Sequence, residues 1–202
     1  MSPYSLRVEI LLIVIVVALL IPLIWLIATY NGLVQGRVRA ENGFSQIDVQ
    51  LKRRCDLIPN LVEAVKGYMT HERETLEAVI AARNSAVAGL QTLGSKPRNA
   101  IALQAVAGAS GELDLLLMQL RVSIENYPDL KASTNVLGLQ EELASTENRI
   151  AFSRQAYNDA VMIFNTNTAI FPAKIVASIF GFKPLALFQA STDDRVLPQV
   201  KF

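Results

Sequence analysis

The sequence predicts an all-α protein: one N-terminal transmembrane helix, then a long antiparallel bundle of about four helices, then a short apolar C-terminal element. Three observations lead there. Residues 10–28 form an apolar run without a single charge. A heptad seam runs through the C-terminal half. The chain lacks the sustained period-two alternation, and the Asn-Gly or Asp-Gly turns between alternating strands, that mark hairpins. The expected organisation is an anchor over 1–30, a bundle over 31–170, and an apolar segment with its tail over 171–202.

The anchor rests on length. Nineteen apolar residues in a row, at about 1.5 Å rise each, span roughly the 30 Å hydrocarbon core of a bilayer. A helix satisfies its own backbone hydrogen bonds there. A cleaved signal peptide would have an apolar region of about 7–15 residues and a small-x-small cleavage site. The sequence that follows, Thr29-Tyr30-Asn31-Gly32-Leu33, contains no Ala-x-Ala. Pro22 is tolerable inside a membrane helix, and Trp25 and Tyr30 suit an interfacial aromatic belt. Arg37, Arg39 and Lys52-Arg53-Arg54 outnumber Arg7 and the α-amino group across the span, so the positive-inside rule narrowly favours a cytoplasmic domain over a periplasmic one.

Beyond the anchor, apolar residues recur at helical spacing. Leu33, Ala40, Phe44, Ile47, Leu51, Cys55 and Ile58 line one face of a helix continuing from the span. Ile58-Pro59 should kink or break it, because proline disfavours helix at the preceding residue. Asn60 would then cap a second helix, with Leu61, Val65, Tyr68, Leu76, Val79, Ala86 and Leu90 facing inward. Residues 93–97 read as a loop. A third helix carries Ile101, Ala105, Leu113, Leu116, Leu117, Leu120 and Ile124, and Tyr127-Pro128 ends it. Gly108 and Gly111 either weaken its middle or admit a close helix approach. From Val136 through Leu139, Leu143, Thr146, Ile150, Ser153, Tyr157, Ala160, Phe164 and Asn167 to Phe171, steps of three and four make the coiled-coil-like seam. Its polar and small entries suit a bundle helix more than a two-stranded zipper. After Pro172 a short element near residues 173–180 is expected, with Phe180 and Phe182 buried against the bundle, a neighbouring chain or lipid.

Composition narrows the function. Nineteen basic residues nearly balance eighteen acidic ones, for a net charge of +1, and no footprint for nucleic acid results. The one cysteine, Cys55, excludes an internal disulfide and a thiolate zinc cluster. It lies on an apolar stripe and reads as a buried structural thiol. The one histidine, His71, precedes Glu72, but Thr75 stands where His-Glu-x-x-His needs its second histidine. No catalytic residue, cofactor site or metal site is expected.

The chain also resembles a known family. The carrying residues are Tyr30-Asn31, Glu41-Asn42, Ser45-Gln46-Ile47-Asp48-Val49-Gln50-Leu51-Lys52-Arg53-Arg54, and above all Asp56-Leu57-Ile58-Pro59-Asn60-Leu61-Val62-Glu63. Val65-Lys66-Gly67-Tyr68, Asn148-Arg149-Ile150-Ala151-Phe152, Arg154, Tyr157-Asn158, Phe164-Asn165, Phe171-Pro172 and Phe180-Gly181-Phe182 extend the likeness over nearly the whole length. These are similar to the LemA proteins. Phe44 stands where tryptophan is common in that family, and Cys55 where an aromatic, Ala or His is usual. The resemblance implies a single-pass bacterial inner-membrane protein with a long-helix bundle and no established enzymatic activity. It carries suggested links to envelope stress, membrane proteolysis and, in a magnetosome branch, membrane shaping.

Ten polar side chains, from Ser45, Gln46, Asp48 and Gln50 through Asn60, Asn148, Arg149, Arg154 and Asn158 to Asn165, interrupt long amphipathic helices. They either fix the bundle's register within one chain or form a lateral subunit interface. The candidate interaction residues are Asp48, Arg53, Arg54, Asn60, Arg149, Arg154, Asn158, Phe180 and Phe182. The expected role is a scaffold that self-assembles as a homo-oligomer on the bilayer. The alternative is an adaptor recruiting another membrane protein, such as a protease in an envelope stress response.

Overall fold

The computed structural model describes residues 3–94 and 97–189. Its elements are α1 (Pro3–Val65), α2 (Arg73–Leu93), α3 (Ala100–Glu125), α4 (Pro128–Ala132), α5 (Thr134–Ala169) and α6 (Ala173–Ile179), with no strand among the described residues. Among the described residues two helices are long and apolar enough to cross a membrane, α1 and α3. They differ in kind. The apolar part of α1 is uncovered by protein, whereas α3 packs Leu103, Val106, Leu113, Leu120 and Ile124 into the core.

Helix ends follow local chemistry. The Asn99 side chain accepts the amides of Ile101 and Ala102 at 3.0 and 3.2 Å, starting α3. Ser133 caps α5 in the same way. At the end of α2, Gly94 takes φ 65°, a left-handed value that a side chain would resist, and its N–H donates to the Leu90 carbonyl at 3.0 Å.

The first helix carries the main correction. Pro59 does not end it: α1 runs 63 residues, through both Pro22 and Pro59, to Val65. The break comes at 66–72 instead, and Asn60 is an exposed mid-helix residue, not a cap. Proline removes the N–H that would bond the carbonyl four residues back. Here that carbonyl belongs to Cys55, and the Arg83 Nε of α2 donates to it at 3.0 Å. A side chain from the neighbouring helix supplies the missing donor, while Cys55, Ile58 and Leu61 bury the flanking turns. Tyr68, expected to face inward, stands exposed in the break, and Met69 takes the buried place.

Three clusters stack along α1. Nearest the anchor, Leu33 meets Phe164, Val176, Ala177 and Phe182. Next, Phe44, Ile47 and Leu51 pack with Leu103, Val106, Ile150, Tyr157 and Phe188. Farthest out, Cys55, Ile58 and Leu61 pack with Val79, Ala82, Leu113, Leu120 and Val136. Helices α1 and α5 run side by side, with Gly36 opposite Phe164, Gly43 opposite Tyr157 and Arg53 opposite Glu142. At Gly43 a Cβ would come within 3.1 Å of the Tyr157 Cα, so glycine is what lets these backbones approach.

All seven residues expected on the α1 face are buried. The α5 seam holds at Val136, Thr146, Ile150, Tyr157 and Phe164, but Val161 and Thr168 are buried where Ala160 and Asn167 were expected. Phe171 is left 81% exposed. In α3 the expected face is wrong over the first turns. Ile101 and Ala105 point outward, while Leu103, Val106, Ala107 and Ser110 are buried. This helix is apolar on two sides, and periodicity alone could not choose between them. Gly108 and Gly111 face open space, so neither admits a close approach. Helix α6 lies where a short element after Pro172 was expected.

Candidate functional site

The site is built around a buried cation. Arg54, on the inward side of α1, is only 2% exposed. A guanidinium taken out of water must be compensated by charge and hydrogen bonds. Its Nη1 pairs with the Asp114 carboxylate of α3, and its Nη2 donates to the Ser110 Oγ at 2.7 Å. Its Nε is buried without a hydrogen-bond partner among the described residues. Burial pushes the Asp114 carboxyl above its ordinary 3.8, and the Arg54 charge pulls it partly back. Asp114, Arg121, Glu147 and Arg154 surround an open cavity of about 380 Å³. Arg54 and Gln140 also line it, and the rest of its wall is apolar, with Leu61, Leu115, Leu117, Met118 and Leu143 prominent. Such a groove suits an apolar body with a polar end.

A second arrangement borders it. Residues 182–188 run extended along α5 and are held by side chains that imitate strand pairing. The Asn165 amide donates to the Leu185 carbonyl at 2.9 Å and accepts its N–H at 2.8 Å. One heptad earlier, Asn158 does the same to Phe188, at 3.1 and 2.8 Å. Between them the Tyr157 hydroxyl donates to the Ala186 carbonyl at 2.7 Å. Burial raises this phenol to about 12. The Arg154 guanidinium lies 4.8 Å over the Phe188 ring.

The structure brings some of the candidate residues together and leaves others apart. Arg54 and Arg154 line one cavity, and Asn158 shares the Phe188 contact with Arg154. Arg53 reaches Glu142 at 2.7 Å on an exposed surface. Asp48, largely buried, pairs with Lys52 of its own helix at 2.7 Å and keeps a buried Oδ1 without a partner among the described residues. Asn60 and Arg149 are exposed. Phe182 is 9% exposed and packs edge-on to Phe164 and Tyr30, whereas Phe180 is 48% exposed and stacks against Tyr30 at a tilt. Sequence reasoning missed Asp114 and Ser110. Their signal was Ser110 and Asp114, two polar residues spaced i, i+4 on the side of α3 that also carries Leu103, Val106, Leu113 and Leu117. It also missed Arg83, which no local pattern links to Pro59. His71 is exposed in the 66–72 break, and no group of His, Cys, Asp or Glu that could hold a metal ion occurs among the described residues. Burial pushes the Cys55 thiol up, against the pull of Arg54 and Arg83, which keeps it protonated.

Protein LemA of Metamycoplasma hominis is 27% identical over 166 residues, covering 82% of this chain and 71% of that protein. Magnetosome protein MamQ of Magnetospirillum gryphiswaldense is 25% identical over 211 residues, covering 96% of this chain and 78% of that one. The LemA family model matches residues 43–202, which takes in the Arg54 cluster, the asparagine-held segment and every helix after the anchor. This membrane-associated helical chain belongs to the LemA family.

Proposed function

We propose that this protein is a non-catalytic scaffold of the bacterial inner membrane, an antiparallel bundle of about four helices that self-assembles beside its anchor. One observation carries the reading: α3 is apolar on two faces, and only one of them is used inside the chain. On the outward face Ile101, Leu115, Met118 and Val122 are exposed, with small Ala105 and Gly108 between them at helical spacing. A patch of this kind on a tethered protein meets copies of itself at high effective concentration, in a shared orientation. Because α1 is continuous from span to bundle, contacts between bundles act on the membrane without a flexible joint. In nanodiscs the full chain is expected to give oligomers by mass photometry, and a Leu115→Ser, Met118→Ser, Val122→Ser variant to give monomers. Monomers at every lipid-to-protein ratio for the parent chain would sink the proposal.

The groove beside Arg54 and Asp114 favours a second reading, an adaptor whose partner inserts an apolar side chain there. It predicts a different protein, in stoichiometric amount, crosslinked to this chain in native membranes. For orientation, the basic residues beyond the span support a cytoplasmic bundle. Protease added outside intact spheroplasts should then leave the bundle uncut.

A further inference from the structure

We infer that α6 and the corner joining it to α5 form a second membrane contact, an interfacial foot seated among anionic lipid headgroups beside the anchor. Position comes first. The apolar span of α1 ends at Ala28, and the Tyr30 ring lies 4.8 Å from Phe180 and 5.7 Å from Phe182. Leu33 packs with Val176 and Ala177 of α6. At about 1.5 Å per residue, Tyr30 and Leu33 sit roughly 3–8 Å beyond the end of the span, within the headgroup layer. The foot is therefore level with the membrane surface.

Direction comes next. Helix α5 lies alongside α1, and α6 turns 94° from α5. With α1 crossing the bilayer, α6 lies nearly in the plane of its surface, the attitude of an interfacial amphipathic helix. Its inward side, Val176 and Ala177, is buried in the protein. The rest of the foot is not: Ile175 and Ile179 on α6, Ile170 and Phe171 in the corner before it and Phe180 just after it are all exposed, four of them half exposed or more. Leaving five large apolar side chains this close together in water is unfavourable, and a lipid surface relieves it.

Charge selects the lipid. Lys174 on α6 and Lys183, four residues past its end, stand exposed, and Arg37 lies 5.1 Å over the Phe182 ring. Neither residues 166–189 nor residues 28–40 contain an Asp or Glu. Cations with no acid among them, around an apolar patch at headgroup depth, fit anionic phospholipid. A span alone leaves the rod free to tilt and rotate, and a second contact beside it sets its angle to the membrane.

The contact is tested in full-length protein reconstituted into vesicles of mixed anionic and zwitterionic lipid. Trp25, the one tryptophan, is first removed to give a Trp25→Phe background. Reporters are then placed singly by Phe171→Trp and, as a control far along α5, by Phe152→Trp, both at exposed positions. Each must melt like the background protein. The Phe171→Trp emission is expected to be blue-shifted and to lose about half or more of its intensity to lipid brominated on its acyl chains. The Phe152→Trp emission should be red and unquenched. Adding Lys174→Glu and Lys183→Glu should weaken the quenching. Red, unquenched emission at position 171 overturns the inference. So does blue emission that brominated lipid leaves untouched and that reddens as protein is diluted in the bilayer, since a second copy would then cover the patch. Quenching is read in monomers and oligomers alike, so its failure and the failure of self-assembly remain distinct.

Discussion

Replacing Arg83 with methionine keeps the aliphatic stem but removes the donor that the Cys55 carbonyl receives in place of the missing Pro59 N–H. The cost can be worked from the contact. A hydrogen bond with one charged partner contributes about 1.5–3 kcal/mol when buried. The Arg83 side chain is partly exposed, and its other contacts, an exposed hydrogen bond to the Asn84 Oδ1 at 3.2 Å and 4.0 Å to a mostly exposed Asp56, add little. An Arg83→Met cost of about 1–2 kcal/mol follows. That corresponds to about 2–8 °C in Tm for a chain of this size. The decisive measurement is the double-mutant cycle with Pro59→Ala, followed by far-UV circular dichroism. Pro59→Ala restores the N–H at that position, which bonds the Cys55 carbonyl directly and makes Arg83 dispensable. In that background Arg83→Met should cost less than about 0.5 kcal/mol, leaving a coupling of about 1 kcal/mol. Equal costs in both backgrounds, or no cost in the parent, would show that Arg83 does not support the proline turn.

Three further outcomes follow from the packing. The Tyr157 phenol is raised by burial from 10 to about 12, so the unfolded chain ionises first. Stability is then unaffected below pH 10 and lost as pH climbs from 10 toward 12, by up to about 2–3 kcal/mol. In alkaline melts Tyr157→Phe should show a shallower decline than the parent. Asn158→Ala removes both hydrogen bonds to Phe188 and should cost about 1–3 kcal/mol. It should also open residues 182–188 to limited proteolysis before the bundle melts. Gly43→Ala drives a Cβ against the Tyr157 backbone and should cost about 1–3 kcal/mol, whereas Gly138→Ala, in open space, should be neutral or stabilise by up to about 1 kcal/mol. Similar melting temperatures for the two glycine variants would refute the close approach of α1 and α5.

Local pattern was enough wherever a helix has one apolar side. The uncharged run at 10–28 needs no tertiary information, because backbone hydrogen bonding in hydrocarbon leaves the helix as its outcome. The α1 stripe from Leu33 to Ile58 was legible for a related reason: apolar residues at helical spacing have one way to leave water. The α5 seam was legible for most of its length on the same ground. What the tertiary structure decided are choices between partners distant in sequence. Helix α3 is apolar on both sides, so its buried face depends on which side α1 and α2 reach. Pro59 reads locally as a break, and the donor that replaces its missing N–H comes from Arg83, 24 residues on and in another helix. The asparagines of α5 were visible as polar residues out of place, but no spacing rule says that they grip the backbone at Leu185 and Phe188. Arg54 and Asp114 lie 60 residues apart, and their pairing exists only once burial has removed water as the alternative partner.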